Sequence, residues 1–270
     1  MPDPVRHPLL APGPSLSRAA TGTPGPALGL FLLSGNSMIA ELCGTLPLDW
    51  VVLDMEASPM SGPDALHMLQ ALTGSSCTPL VRVSRLDHHL IEHALDLGAA
   101  GVMVPKVDTP AQAEEAAAAC RFPPEGRRGI NPVRASGYFA DVAGYLATAN
   151  AATSCVVQIE SAQALENVEA IAAVPGVDAL FLGMGDLACD LGQPGVMTGP
   201  AMDTARAAVL RAAQEHGKLA GIFAYTPELA RQYADEGFKL IAFGNEIKLL
   251  RDAVVAGLDG LRGPGLEAPR

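Results

Sequence analysis

Val51-Val52-Leu53-Asp54-Met55-Glu56 is an apolar run that ends in two carboxylates, and Cys155-Val156-Val157-Gln158-Ile159-Glu160 repeats the pattern later in the chain. Consecutive apolar residues mean that both faces of the segment are covered, as in parallel strands packed between helices. Further short β-rich runs flank these two: Leu28–Leu33, Pro79–Val83, Gly101–Val107, Asp178–Gly183, Leu219–Ala224 and Lys239–Gly244, with the quoted pair lying in Trp50–Glu56 and Ser154–Glu160. Between them lie segments of helical period. Leu66, Leu69 and Leu72 form one stripe, and Leu90, Ala94 and Leu97 another. Thr109-Pro110 and Thr226-Pro227 each read as a helix N-cap followed by proline at the first helical position. Alternating strands and helices predict a parallel α/β sheet. Eight units in about 240 residues match a (β/α)₈ TIM barrel. The rival is a doubly wound open sheet, which usually carries a glycine-rich loop after its first strand; here Ser34-Gly35-Asn36-Ser37 follows instead. The expected organisation is one barrel domain over residues 28–263. A flexible arm rich in Pro, Ala, Gly and Ser precedes it (1–27), and a short tail follows (264–270).

The 270 residues are 49% hydrophobic and 17% charged, which excludes a disordered chain. Acids outnumber bases 29 to 18, and a net charge of −11 repels phosphate backbones, so nucleic acid is not an expected partner. The five cysteines, at 43, 77, 120, 155 and 189, show no CxxC and no zinc-ribbon spacing, and read as buried thiols of a reducing cytoplasm. Neither a secretory leader nor a membrane span is legible.

Barrel active sites lie at the C-terminal ends of the strands. The polar residues that end these runs are Asp54 and Glu56, Arg82, Lys106, Gln158 and Glu160, Asp186 within Gly183-Met184-Gly185-Asp186, and Asn245-Glu246. Taken singly, Glu160 or Asp186 reads as a helix cap, Arg82 as a scaffold partner of Asp96, and Gln158 as a core hydrogen bond. Their convergence on one mouth points to chemistry. Two carboxylates on neighbouring strands, about 4.8 Å apart, do not both ionise unless a cation lies between them. A hard divalent ion such as Mg²⁺ or Mn²⁺ takes one or two carboxylates and leaves its other positions to water and substrate oxygens. Arg82 offers a planar fork for a substrate carboxylate, and the glycines beside Asp186 let backbone N–H groups approach an anion. Together these describe a 2-oxo acid site with Lewis-acid stabilisation of an enolate.

These residues resemble the HpcH/HpaI aldolase family, the class II pyruvate aldolases that include 4-hydroxy-2-oxoheptanedioate and 2-dehydro-3-deoxyglucarate aldolases. The resemblance runs from about Leu28 to Leu250. It is most specific at 49–59, 79–82, 94–105, Phe122–Gly129 (FPPEGRRG), Val157–Glu160 (VQIE) and Phe181–Gly192 (FLGMGDLACDLG). It implies a (β/α)₈ barrel, usually hexameric, with Glu160 and Asp186 as ligands of Mg²⁺, Mn²⁺ or Co²⁺. Arg82 would hold the pyruvate enolate with Gln158 beside it, and the amides of Gly185 and Asp186 would cradle the carboxylate. Asp54 and Asp96 match acidic positions near the site or the subunit contact. The implied reaction joins or splits pyruvate, or a related 2-oxo acid, and an aldehyde. The apolar last helix (Ile247, Leu250, Val254, Leu258) fits the expected homo-oligomer.

One departure stands out. The family pattern Asp-x-Glu-His-x-Pro reads Asp54-Met55-Glu56-Ala57-Ser58-Pro59 here, so the histidine that relays a proton is alanine. This leaves two alternatives open: a different reaction of a 2-oxo acid on the same scaffold (decarboxylation or another condensation), or a catalytically weak metabolite-binding protein. Three other features rank lower. His89-Leu90-Ile91-Glu92-His93 matches a zinc-peptidase pattern but falls on a helix flank. Lys106 is a candidate for Schiff-base chemistry. Arg134 and Tyr138 lie in a long loop that reads as a lid or recognition element.

Overall fold

The computed structural model describes Leu16, Ala20 and residues 25–262. Eight strands alternate with helices: β1 (Ala27–Leu32), β2 (Trp50–Asp54), β3 (Thr78–Arg82), β4 (Gly101–Val104), β5 (Ser154–Ile159), β6 (Ala179–Leu182), β7 (Leu219–Phe223) and β8 (Leu240–Asn245). They pair in sequence order, all parallel, and β8 returns to β1, so the sheet is closed. The expected barrel is the observed one.

Around it lie α1 (Ser37–Thr45), α2 (Gly62–Ala71), α3 (His88–Asp96), α4 (Pro110–Cys120), α5 (Val142–Ala152), α6 (Ala162–Glu166), α7 (Val168–Ala172), α8 (Met184–Asp190), α9 (Pro200–Glu215), α10 (Pro227–Glu236) and α11 (Glu246–Arg262). Both Thr-Pro signals hold. Thr109 caps α4 with Gln112 closing a capping box, and the Thr226 side chain accepts from Leu229 N–H at the start of α10. Of the stripe expected on α2, Leu69 and Leu72 are buried with Ala65 and Met68, while Leu66 is half-buried. The helix starts at Gly62, with a Ser61–Asp64 capping box and Pro63 in its first turn.

Strand periodicity divides the core in two. On β2, Trp50 and Val52 point into the barrel while Val51 and Leu53 face the helices. On β5, Val156 points in while Cys155, Val157 and Ile159 point out. The interior also takes Phe31, Leu80, Met103 and Phe181, together with Leu16 and Ala20 from the N-terminal segment, 1% and 7% exposed. The same alternation aims the next inward residues, Asp54, Arg82 and Gln158, into the mouth. Of the arm expected at 1–27, Ala27 already belongs to β1 and is buried; apart from Leu16, Ala20, Gly25 and Pro26 its other residues lie outside the described ones, as does the tail at 264–270. No described helix is long and apolar enough to cross a membrane.

Candidate active site

Asp54 and Arg82 are register partners on β2 and β3. The Arg82 fork donates from Nε to Asp54 Oδ1 (2.9 Å) and from Nη2 to Asp54 Oδ2 (2.6 Å). Asp54 Oδ1 also accepts the backbone N–H groups of Glu56 and Ala57, each at 3.1 Å, which turns the chain out of β2. Asp54 is 1% exposed. Its oxygens are thus committed to holding Arg82 and the β2 turn. Arg82 Nη1 reaches Glu56 Oε2 (2.9 Å) and donates to Gln158 Oε1 (3.3 Å). Its guanidinium lies over the Phe31 ring, 5.2 Å from the centroid. Burial alone would lower its pKa, but Asp54, Glu56 and Glu160 outweigh burial and raise it.

Glu160 follows β5 and is 3% exposed. Its Oε1 accepts the Lys106 N–H at 2.8 Å, while its Oε2 is buried without a hydrogen-bond partner. Lys106 takes a left-handed backbone conformation (φ 54°) as the chain leaves β4, and this delivers the amide. Burial pushes the Glu160 carboxyl up to about 7 against the pull of that amide, with the charges of Glu56 and Asp186 adding to the rise. Glu56 is raised as well, by burial first, with Arg82 and Lys106 opposing. Asp186 stands exposed in the first turn of α8, reached from β6, the neighbour of β5. Among the described residues, no cluster of three or more His, Cys, Asp or Glu side chains forms a cation cage. A buried, unpartnered carboxylate oxygen under the charge of two further carboxylates nevertheless fits a hard divalent cation. Such an ion accepts two protein ligands and leaves its other positions to water and substrate oxygens.

The structure therefore brings Asp54, Arg82, Gln158, Glu160, Gly185 and Asp186 to the strand-end mouth. Asp96 is elsewhere, paired with the buried Arg128 (2.7 Å), so the scaffold partner weighed for Arg82 is not its partner. Arg134 is also elsewhere: buried, it donates to the carbonyl oxygens of Leu97 and Leu69 and to Thr73 Oγ1. Its loop runs from α4 to α5 ahead of β5, on the opposite face of the barrel from the βα loops, so within one protomer it is no lid. Glu92 accepts the Gly129 N–H and lies 3.0 Å from His88 Nε2, which ties the HxxEH stretch into α3 as a helix flank. One mouth residue escaped the sequence reading: Tyr225 follows β7, a strand whose end was passed over, and asking what ends every strand finds it. Glu56, already among the strand-end carboxylates, joins the Arg82 network.

Residues 27–253 match the HpcH/HpaI aldolase/citrate lyase family. The chain belongs to that family. Its relatives include 2-dehydro-3,6-dideoxy-6-sulfogluconate aldolase of Pseudomonas putida, 38% identical over 87% of this chain and 92% of that protein. Another is 5-keto-4-deoxy-D-glucarate aldolase of Escherichia coli O6:H1, 36% identical over 89% of this chain and 94% of that one. Among solved structures, an HpcH/HpaI aldolase/citrate lyase family protein from Burkholderia cenocepacia superposes with a TM-score of 0.87. It is 37% identical and covers 92% of this chain and 98% of its own. This HpcH/HpaI member is an enzyme of the aldehyde-lyase type.

Proposed function

We propose that this HpcH/HpaI protein is a divalent-metal-dependent class II aldolase that cleaves or forms 4-hydroxy-2-oxo acids from pyruvate, or a close 2-oxo acid, and an aldehyde. The observation that carries the reading is the buried, unpartnered Glu160 Oε2 facing a carboxylate-rich mouth beside the fixed Arg82 fork. Glu160 and Asp186 would hold Mg²⁺, Mn²⁺ or Co²⁺, which when bound supplies Lewis acidity to the 2-oxo group. Arg82, locked by Asp54, turns Nη1 toward the mouth and steadies the negative oxygen of the substrate. Gln158 fixes the same Nη1 from the far side. The amides of Gly185 and Asp186 bind the carboxylate. The Phe31 ring, packed on Phe223, lies beneath the Arg82 guanidinium and shields that side of it from solvent.

The test is retro-aldol cleavage, read as pyruvate release, together with Mn²⁺ titration. The double variant Glu160→Gln/Asp186→Asn should lose metal and turnover while remaining folded. Unchanged Mn²⁺ affinity in that variant would sink the assignment.

Ala57 favours a second reading, an enolate-handling enzyme with another electrophile or a decarboxylase. Ala57 is exposed and has nothing that titrates, so the proton relay expected there is vacant. Product analysis with pyruvate, oxaloacetate and an aldehyde panel separates the two.

The protein is further read as a cytoplasmic homo-oligomer, probed by light scattering. Ile247, Leu250, Val254 and Leu258 of α11 stand exposed in the single chain, as a subunit contact requires; Cys43, Cys77, Cys120 and Cys155 are buried free thiols, whereas Cys189, read as buried, is exposed.

A further inference from the structure

We propose that the Tyr225 hydroxyl is a substrate-binding group that donates a hydrogen bond to the carboxylate of the 2-oxo acid, beside the Gly185 and Asp186 amides. The inference rests on the 2-oxo acid reading of the mouth and extends it to a residue on a different strand end.

Three observations carry it. The first is position. A Cβ built on Gly185 would lie 3.8 Å from the Tyr225 hydroxyl oxygen and 3.6 Å from Met197 Cε, so the phenol overhangs the backbone of residue 185. Both are ordinary van der Waals separations, so the hydroxyl sits directly above the amide-bearing backbone that begins α8. The second is support. The Tyr225 ring packs on Phe223 with centroids 4.9 Å apart, Phe223 packs on Phe31 at 5.5 Å, and Phe31 carries the Arg82 guanidinium. Arg82 and Tyr225 therefore stand at the two ends of one aromatic wall, and both are positioned by it. The third is the state of the hydroxyl. None of the hydrogen bonds among the described residues uses it, and the residue is 38% exposed. A phenol is protonated at neutral pH and so can donate. A neutral donor suits a mouth already crowded with carboxylates: it binds an anion while adding no charge that would compete with Arg82 or with a cation.

The experiment uses the full-length, Mn²⁺-loaded protein and its Tyr225→Phe and Tyr225→Leu variants. Pyruvate and oxalate affinities are measured by calorimetry, Mn²⁺ affinity is measured without either acid, and melting curves report folding. Tyr225→Phe keeps the ring and removes only the donor. It should weaken pyruvate and oxalate about tenfold, or ~1.4 kcal/mol, raise the pyruvate KM in aldol addition by a similar factor and leave kcat within about twofold. Mn²⁺ affinity should not change. If Tyr225→Phe binds both acids like the parent while Tyr225→Leu does not, the ring merely packs and the proposal is overturned. A loss of Mn²⁺ affinity in Tyr225→Phe equally overturns it, since the hydroxyl would then act through Asp186. If the unaltered protein binds neither acid, the 2-oxo acid reading itself fails, and that outcome is distinct from both.

Discussion

Glu160 stands where it does because residue 183 has no side chain: a Cβ on Gly183 would lie 2.5 Å from Glu160 Oε2 and 2.7 Å from Glu160 Cβ. The end of β6 is thereby shaped to admit a carboxylate from β5. Gly183→Ala should displace the Glu160 head group, at an overpacking cost of about 1–3 kcal/mol, and lower Mn²⁺ affinity at least ~10-fold, since a two-carboxylate site is left with one ligand. Manganese binding followed by electron paramagnetic resonance decides this. Parent-like affinity in a folded Gly183→Ala protein would remove Glu160 from the ligand set.

The same carboxylate sets a pH signature in metal-free protein. Its pKa rises from the ordinary 4.5 to about 7 on folding, with burial as the main cause. The unfolded chain therefore gives up this proton first. The neutral form favours folding below pH 4.5, and the contribution declines as pH climbs to about 7 and is gone above it. In the presence of a chelator, Glu160→Gln should be more stable than the parent at pH 8, by up to about 3 kcal/mol. The difference should vanish near pH 4. Denaturant curves at the two pH values check it, and a variant less stable than the parent at pH 8 contradicts it.

Asp54→Asn tests the fork. The substitution keeps the shape but leaves Arg82, 12% exposed, without its bidentate partner. Removing one member of a buried pair costs about 3–5 kcal/mol. Melting temperature and retro-aldol kcat/KM should fall together, the latter by roughly 10²-fold if Arg82 loses its aim. An undisturbed kcat/KM would show that Arg82 needs no holder.

Ala57→His restores the residue that the Asp-x-Glu-His-x-Pro pattern carries. Position 57 is exposed, so the larger side chain meets no packing obstacle. Acid–base groups contribute about 10²–10⁴-fold. The parent should cleave 4-hydroxy-2-oxo acids weakly, and the variant at least ~10-fold faster, with pyruvate affinity little changed. Brisk parent cleavage that the histidine leaves unaltered would point to Glu56 as the next base to probe.

Most of the fold is legible in the sequence because strand and helix here obey local rules that tertiary packing does not override. Each of the eight runs becomes a strand, and the differences concentrate at C-terminal ends. The run Trp50–Glu56 stops being strand at Asp54, because the Asp54 carboxylate captures the amides of residues 56 and 57. The run Gly101–Val107 stops at Val104, before Pro105 and the left-handed Lys106. Chemistry-bearing loops begin where apolar patterning is silent. The site is legible where a residue sits on the inward register, as Arg82 and Gln158 do. It is illegible where a residue acts through its backbone, as Lys106 does, or through its emptiness, as Gly183 does. Tyr225 comes to the mouth one residue past Ala224 at the end of β7, close above the backbone of residue 185 on another strand end, and no single-strand pattern encodes that relation.

Trp50, the only tryptophan in the chain, fills the space a Cβ on Gly29 would need, donates Nε1–H to the Ala27 carbonyl at 3.0 Å and meets Phe181 edge-on at 6.3 Å. At 1% exposure it lies beyond the reach of aqueous quenchers. The molecule therefore carries one built-in optical probe at the seam between its first two strands. Its emission should be blue-shifted and insensitive to iodide for as long as the barrel is shut, and should redden when β1 and β2 part.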